Sequence, residues 1–152
     1  MLTNLLVSAI VLGLSAYTAG TVGQGVAAPA AEYRWATACR TCHEPIFKAW
    51  SRTKHATALD RLSAAEQEQA CVGCHVTGPK SPVLDGKQVL NAGVQCESCH
   101  GAAAAHVADP QVRTGLVRKP SSATCEECHS SKSPRFKGFF YDAMAGLSHK
   151  VG

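Results

Sequence analysis

The chain has 152 residues, the length of a single domain. Its side chains are 45% apolar but only 6% aromatic, so it carries few large groups from which to build a core. Fifteen Lys and Arg against eleven Asp and Glu leave a formal charge of +4, too small and too scattered to make a nucleic-acid-binding surface. No phosphate-cradling glycine loop, nucleophile elbow or zinc-protease helix motif occurs, which excludes the commonest motif-bearing enzyme classes. Eight Cys and seven His are the anomaly.

Residues 1–31 carry no charged side chain; Glu32 is the first. Leu5 to Ala19 is nearly unbroken apolar sequence, and Ala28-Pro29-Ala30 follows as an A-x-A pattern. This reads as a secretory signal cleaved after Ala30. The n-region lacks Lys and Arg, so an uncleaved membrane anchor from about Leu2 to Val22, near the roughly 20 residues of a span, stands as the rival. Residues 1–30 are therefore assigned as signal peptide or N-terminal anchor, and residues 31–152 as the functional domain. Both readings export the chain.

From Cys39 onward every Cys belongs to a Cys-x-x-Cys pair, and every pair is followed at once by His. The four copies are Cys39-Cys42-His43, Cys71-Cys74-His75, Cys96-Cys99-His100 and Cys125-Cys128-His129. This is the attachment signature of c-type haem. Two thiols three positions apart reach the two vinyl groups on one porphyrin edge as thioethers, and the adjacent imidazole reaches the iron as proximal ligand. A disulfide framework suits an exported chain but gives no reason for the histidines. Two four-thiolate zinc sites leave them equally unexplained. Placed by chance at this composition, His would follow all four pairs with a probability on the order of 10⁻⁵ to 10⁻⁶. Four covalent haems are expected. They supply the apolar surface the scarce aromatics cannot, and their propionates and ferric centres would bring the net charge to about zero.

Three histidines remain for four irons: His55, His106 and His149. Residues 45 to 61 read as a helix with Pro45 in its first turn. On a straight helix His43 and His55 would stand about 18 Å apart, so His55 is expected to serve a different haem from His43. Asp85-Gly86 predicts a hairpin turn joining Pro82–Leu84 to Gln88–Leu90. The Gly-Ala-Ala-Ala-Ala run between His100 and His106 is too short to wrap a porphyrin edge, so His106 should also reach across to another haem. Nineteen intervening residues, including Ser133-Pro134 and Gly138, allow His149 to fold back over the haem of His129. Phe136, Phe139, Phe140 and Tyr141 are expected to pack on haem faces. Met144, the only Met after the first residue, is the candidate sulfur ligand for an iron lacking a second His, although helix packing is the plainer role.

Together these blocks resemble the tetrahaem cytochrome c-554 family: CRTCHEPIFKAWSRTKHATAL from Cys39, CVGCHVTG from Cys71, GVQCESCHG from Gly93, and the final CEECH with its Phe-rich, His-ending continuation. The resemblance implies a mainly α fold with little regular sheet, the chain wrapped compactly around four haems in closely stacked pairs. It implies distal pairing of His43 with His106, His100 with His55, and His129 with His149, and it leaves the haem of His75 five-coordinate. This chain is shorter than the family between the third and fourth motifs and ends three residues after His149.

The function that follows is periplasmic electron transfer between a redox-protein donor and acceptor, with bis-His ligation favouring lower potentials than His/Met haems have. The alternatives are a haem enzyme reducing nitric oxide or peroxide at an open iron, and a subunit of a haem-wire filament.

Overall fold

The structure, a computed structural model, describes residues 32–150. The proposed signal or anchor segment lies outside the described residues. No helix among the described residues is long and apolar enough to cross a membrane.

The fold is mainly helical with one small sheet, as expected. Among the described residues six α-helices follow in chain order: α1 (Trp35–Trp50), α2 (Ala64–Gln67), α3 (Cys96–His100), α4 (Ala104–Ala108), α5 (Ser122–Glu126) and α6 (Tyr141–Met144). Between α2 and α3, β1 (Leu84–Asp85) and β2 (Gln88–Val89) pair antiparallel, Leu84 opposite Val89 and Asp85 opposite Gln88. The hairpin predicted from Asp85-Gly86 is thus present, with Gly86-Lys87 as its two-residue loop. Gly86 supplies the positive φ (58°) that a primed turn needs at its first position.

The helix expected over 45–61 is differently placed. Helical structure begins ten residues earlier, at Trp35, breaks at His43 (φ −116°, ψ 39°) and resumes through Pro45 to Trp50. The break puts Pro45 in the first turn of the second segment, where its missing N–H costs nothing. The helix stops at Trp50 because the chain tightens. Arg52 and Thr53 donate backbone N–H groups to carbonyls three residues back, and the Thr53 hydroxyl donates to Trp50 O at 2.7 Å. A turn then carries His55 to a short 3₁₀ helix at Leu59–Arg61.

Buried apolar side chains are few. Leu59, Val72 and Val76 form one small cluster, flanked by Leu62, Val89 and Ala92. The fully enclosed residues are polar. Asn91 spans the loop before β1: its amide nitrogen donates to Thr77 O (3.0 Å) and Ser81 O (2.9 Å), and its oxygen accepts Val83 N–H (2.8 Å). The Thr77 hydroxyl donates to Gly93 O (2.8 Å) and accepts Gln95 N–H (2.7 Å). Hydrogen bonding does here what an apolar core does in an ordinary domain.

Candidate haem site

The imidazole after each Cys-x-x-Cys pair follows directly on the short helix or 3₁₀ turn that carries the two cysteines, or ends it. Cys39, Cys42 and His43 lie on the first segment of α1, Cys71 and Cys74 on a 3₁₀ helix (Ala70–Cys74) capped by His75, and Cys96, Cys99 and His100 on α3. Cys125 lies on α5, with Cys128 and His129 in the turn that continues it. One helical turn is the local device that puts two thiols three positions apart on the same side.

The imidazoles come together in twos. His43 faces His106 with ring centroids 6.4 Å apart and planes at 21°. His100 faces His149 at 6.0 Å and 26°. His55 faces His129 at 5.9 Å and 64°. Among the described residues His75 enters no such ring pair. Two imidazoles on opposite sides of one iron would have centroids about 6 Å apart: two metal–nitrogen bonds of ~2 Å, each with ~1.1 Å more to the ring centre. The donor set and spacing therefore fit a metal between each pair.

The ring positions agree only in part with the pairing that the resemblance implied. His43 and His106 face one another, as the resemblance implied. His55 lies against His129 instead of His100, and His149 against His100 instead of His129. His55 does avoid His43, although the helix supposed to separate them ends at Trp50. The physical reason for the exchange is backbone anchoring. Val94 N–H binds His55 O at 2.9 Å, which pins His55 in front of the third motif with its ring directed to the fourth. Gly93 makes this approach possible: its φ is +81°, and a Cβ there would stand 2.5 Å from Ala56 O.

Several rings are oriented through Nδ1. His75 donates to Ala58 O (2.6 Å), His100 to Val117 O (2.6 Å) and His106 to Val112 O (3.1 Å). A carbonyl only accepts, so these contacts place the proton on Nδ1 and leave Nε2 with its lone pair for a metal. Burial, and then the neighbouring His129 ring, holds His55 below the usual imidazole range, which keeps it neutral and able to ligate.

The cysteines approach across motifs. Where α1 meets α3, the nearby Cys96 thiol, and then burial, raises Cys39, while Cys39 beside it lowers Cys96. Burial, and then Cys125 beside it, raises Cys99. Burial, and then the nearby Cys74 thiol, pushes Cys128 up to about 12. Among the described residues no three His, Cys, Asp or Glu converge as a metal cluster.

The expected aromatic packing is mixed. Phe139 stacks on His129 (5.0 Å, 24°), while Phe136 and Phe140 are exposed. The hydroxyl of Tyr141 donates to Pro120 O. Met144 is exposed on α6, and no described contact joins it to His75. Sequence reasoning missed Glu97, a buried carboxylate inside the third motif, together with the carbonyls that orient the imidazoles. Backbone acceptors leave no trace in composition, and Glu97 occupies a position at which the motif accepts any residue.

Residues 38–101 match the family described as cytochrome c554 and c-prime. Cytochrome c-554 of Nitrosomonas europaea is 31% identical over 101 residues, covering 53% of this chain and 43% of that protein, so the match spans less than half the length of this relative. The solved structure of reduced cytochrome c554 from Nitrosomonas europaea superposes with a TM-score of 0.54 at 20% identity, covering 76% of this chain and 77% of that one, a likeness of fold.

Proposed function

Because the chain belongs across residues 38–101 to the cytochrome c554 and c-prime family, a multihaem c-type cytochrome family whose cofactor is covalently bound haem c, we propose that it is an exported electron carrier holding four haems. In this reading residues 31–152 form the haem domain, working in the periplasm between a redox-protein donor and acceptor, and residues 1–30 direct export. The observation that carries it is the set of three opposed imidazole pairs, with centroids 5.9 to 6.4 Å apart.

Cys39 with Cys42, Cys71 with Cys74, Cys96 with Cys99, and Cys125 with Cys128 are the attachment residues. His43, His75, His100 and His129 are the proximal ligands, and His106, His149 and His55 are the distal ligands of the first, third and fourth sites. When bound, haem supplies a one-electron iron couple. The chain's part is to saturate three of the irons with two imidazoles each, so that no substrate enters there. Its carbonyls lock the ligand tautomers, and its folding brings cysteines of different motifs close to one another. All seven histidines are used within one chain, so none is left for a neighbouring subunit in a filament.

His75 favours a second reading. No imidazole opposes it among the described residues, so its iron would be open to a small ligand such as nitric oxide or peroxide.

The test is mass spectrometry, electron paramagnetic resonance and a redox titration of the holoprotein. Four covalent haems are expected, three low-spin with two imidazoles and one high-spin at His75, exchanging electrons without turnover of a bound nitrogen oxide or peroxide. Two haems, or any Cys–Cys disulfide, would undo the reading. Turnover that is lost when the His75 iron is blocked would replace carrier with enzyme.

A further inference from the structure

Glu97 stands between Cys96 and Cys99, yet it is only 4% exposed. Both of its carboxylate oxygens are used. Oε1 accepts the backbone N–H groups of Arg34 (3.0 Å) and Ala103 (2.8 Å), and Oε2 accepts those of Arg34 (3.0 Å) and Trp35 (2.7 Å). One side chain of α3 thus holds the start of α1, which carries His43, and the N-cap of α4, which carries His106.

The backbone is shaped to receive it. Trp35 has φ +63°, the only non-glycine residue with positive φ among those described. Such a conformation is strained for a residue with a Cβ and persists where its surroundings over-determine it. Here it turns three successive N–H groups toward α3: Arg34 and Trp35 to Glu97, and Ala36 to Gln95 Oε1 at 2.6 Å. Consecutive backbone N–H groups arranged in this way form an anion-binding concavity. The anion is built into the third attachment motif.

We propose that Glu97 is a positioning residue for the first haem site: its carboxylate sets the separation of His43 from His106 by clamping α1 and α4 to α3, and places a buried negative charge between the first and third sites. The proposal rests on the reading that His43 and His106 ligate one iron. A carboxylate is required because a glutamine has one acceptor oxygen, and its NH₂ group would meet N–H donors. The buried charge would also favour the oxidised state of the nearby haems.

Three holoprotein variants test it: Glu97→Gln, Glu97→Asp and Gln95→Ala. Glu97→Gln should give a high-spin ferric fraction from the haem at Cys39 and Cys42, an additional carbon monoxide site when reduced, and a positive shift in one or two of the four midpoint potentials. Glu97→Asp keeps the charge but shortens the reach, so the high-spin fraction should appear while the potentials stay near wild type. Gln95→Ala removes only the Ala36 contact and leaves the Glu97 carboxylate on Arg34, Trp35 and Ala103, so it should lower Tm with spin state and potentials unchanged. Wild-type spin state and potentials in Glu97→Gln overturn the proposal, as does the same spectral change in Gln95→Ala. Should Glu97→Gln yield no holoprotein, a Glu97→Asp with the wild-type spin state overturns it. A wild type without a two-imidazole low-spin signal from the haem at Cys39 and Cys42 sinks the ligation reading itself, and the proposal with it.

Discussion

Two regions of the molecule are held in opposite ways. From Val76 to Ala103 the chain is organised by its own hydrogen bonds: Thr77, Asn91, Gln95 and Glu97 are buried polar residues with partners on both sides. From residue 104 to 150 no residue is buried. Phe136, Phe140, Met144 and Leu147 are all exposed there, and the segment is held by single contacts such as Tyr141 to Pro120 and Phe139 on His129. Yet this second region carries three imidazoles of the candidate site: His106, His129 and His149. The first region is a scaffold that specifies its own shape. The second is a wrap, shaped by what it closes on, as expected of a chain with 6% aromatics whose apolar partners are its prosthetic groups.

The sharpest way to break this comparison is at the ligand pair that joins the fourth motif to the turn after α1. His55→Ala should convert the haem at Cys125 and Cys128 to high-spin and leave the haem at Cys96 and Cys99 six-coordinate; His149→Ala should do the reverse. The His55–His129 planes cross at 64°, against 21° and 26° in the other pairs. The signal lost in His55→Ala should therefore be the low-spin one of largest g value in the paramagnetic resonance spectrum. Loss from the third haem instead would restore the pairing implied by family resemblance.

Next in size is the scaffold. Asn91→Ala strips Val83 N–H and the carbonyls of Thr77 and Ser81 of their partner. Leaving such buried groups unpaired costs about 1–3 kcal/mol, to be read as a lower Tm with the haem spectra intact. In the wrap, Tyr141→Phe removes one hydrogen bond, worth about 0.5–1.5 kcal/mol. It should show chiefly as faster proteolysis of residues 122–150. If Tyr141→Phe lowers Tm more than Asn91→Ala, the wrap is a second scaffold.

The smallest effect belongs to the exposed ion pair that ties the wrap to α2, Arg135 to Glu66 at 3.4 Å. Arg135→Ala should leave Tm unchanged at moderate salt. Glu66 is held below the usual carboxylate range first by the Ser63 backbone N–H, then by the Ser63 hydroxyl, with Arg135 a lesser cause. A lowered carboxylate contributes stability above its unfolded value, about pH 4.3, and loses it as pH falls through the folded value. Ser63→Ala should accordingly flatten the acid limb of the stability curve, whereas Arg135→Ala should barely change it.

Much of the site was legible because covalent attachment writes itself into local sequence. The second Cys must stand three positions from the first and the His next to it, whatever the rest of the chain does. The Asp85-Gly86 hairpin was legible for the same reason, a local rule about φ. The helix from Pro45 was misjudged at both ends. Nothing in the apolar pattern marks the break at His43, and Ser51 to Thr53 end the helix through hydrogen bonds that those residues make equally well on a helix face.

The sequence by itself determined the mainly helical class and pointed to covalently bound haem, and it is the source of the proposed four attachment segments and three distal histidines, since each depends on residue types and short spacings. The tertiary structure alone decided which imidazole faces which, because that depends on backbone contacts between segments far apart in sequence. Val94 N–H on His55 O, Val117 O on His100 and the Glu97 clamp across 63 residues to Arg34 are such contacts. Long-range partners of this kind are chosen by geometry, and a spare histidine carries no mark of the iron it will meet.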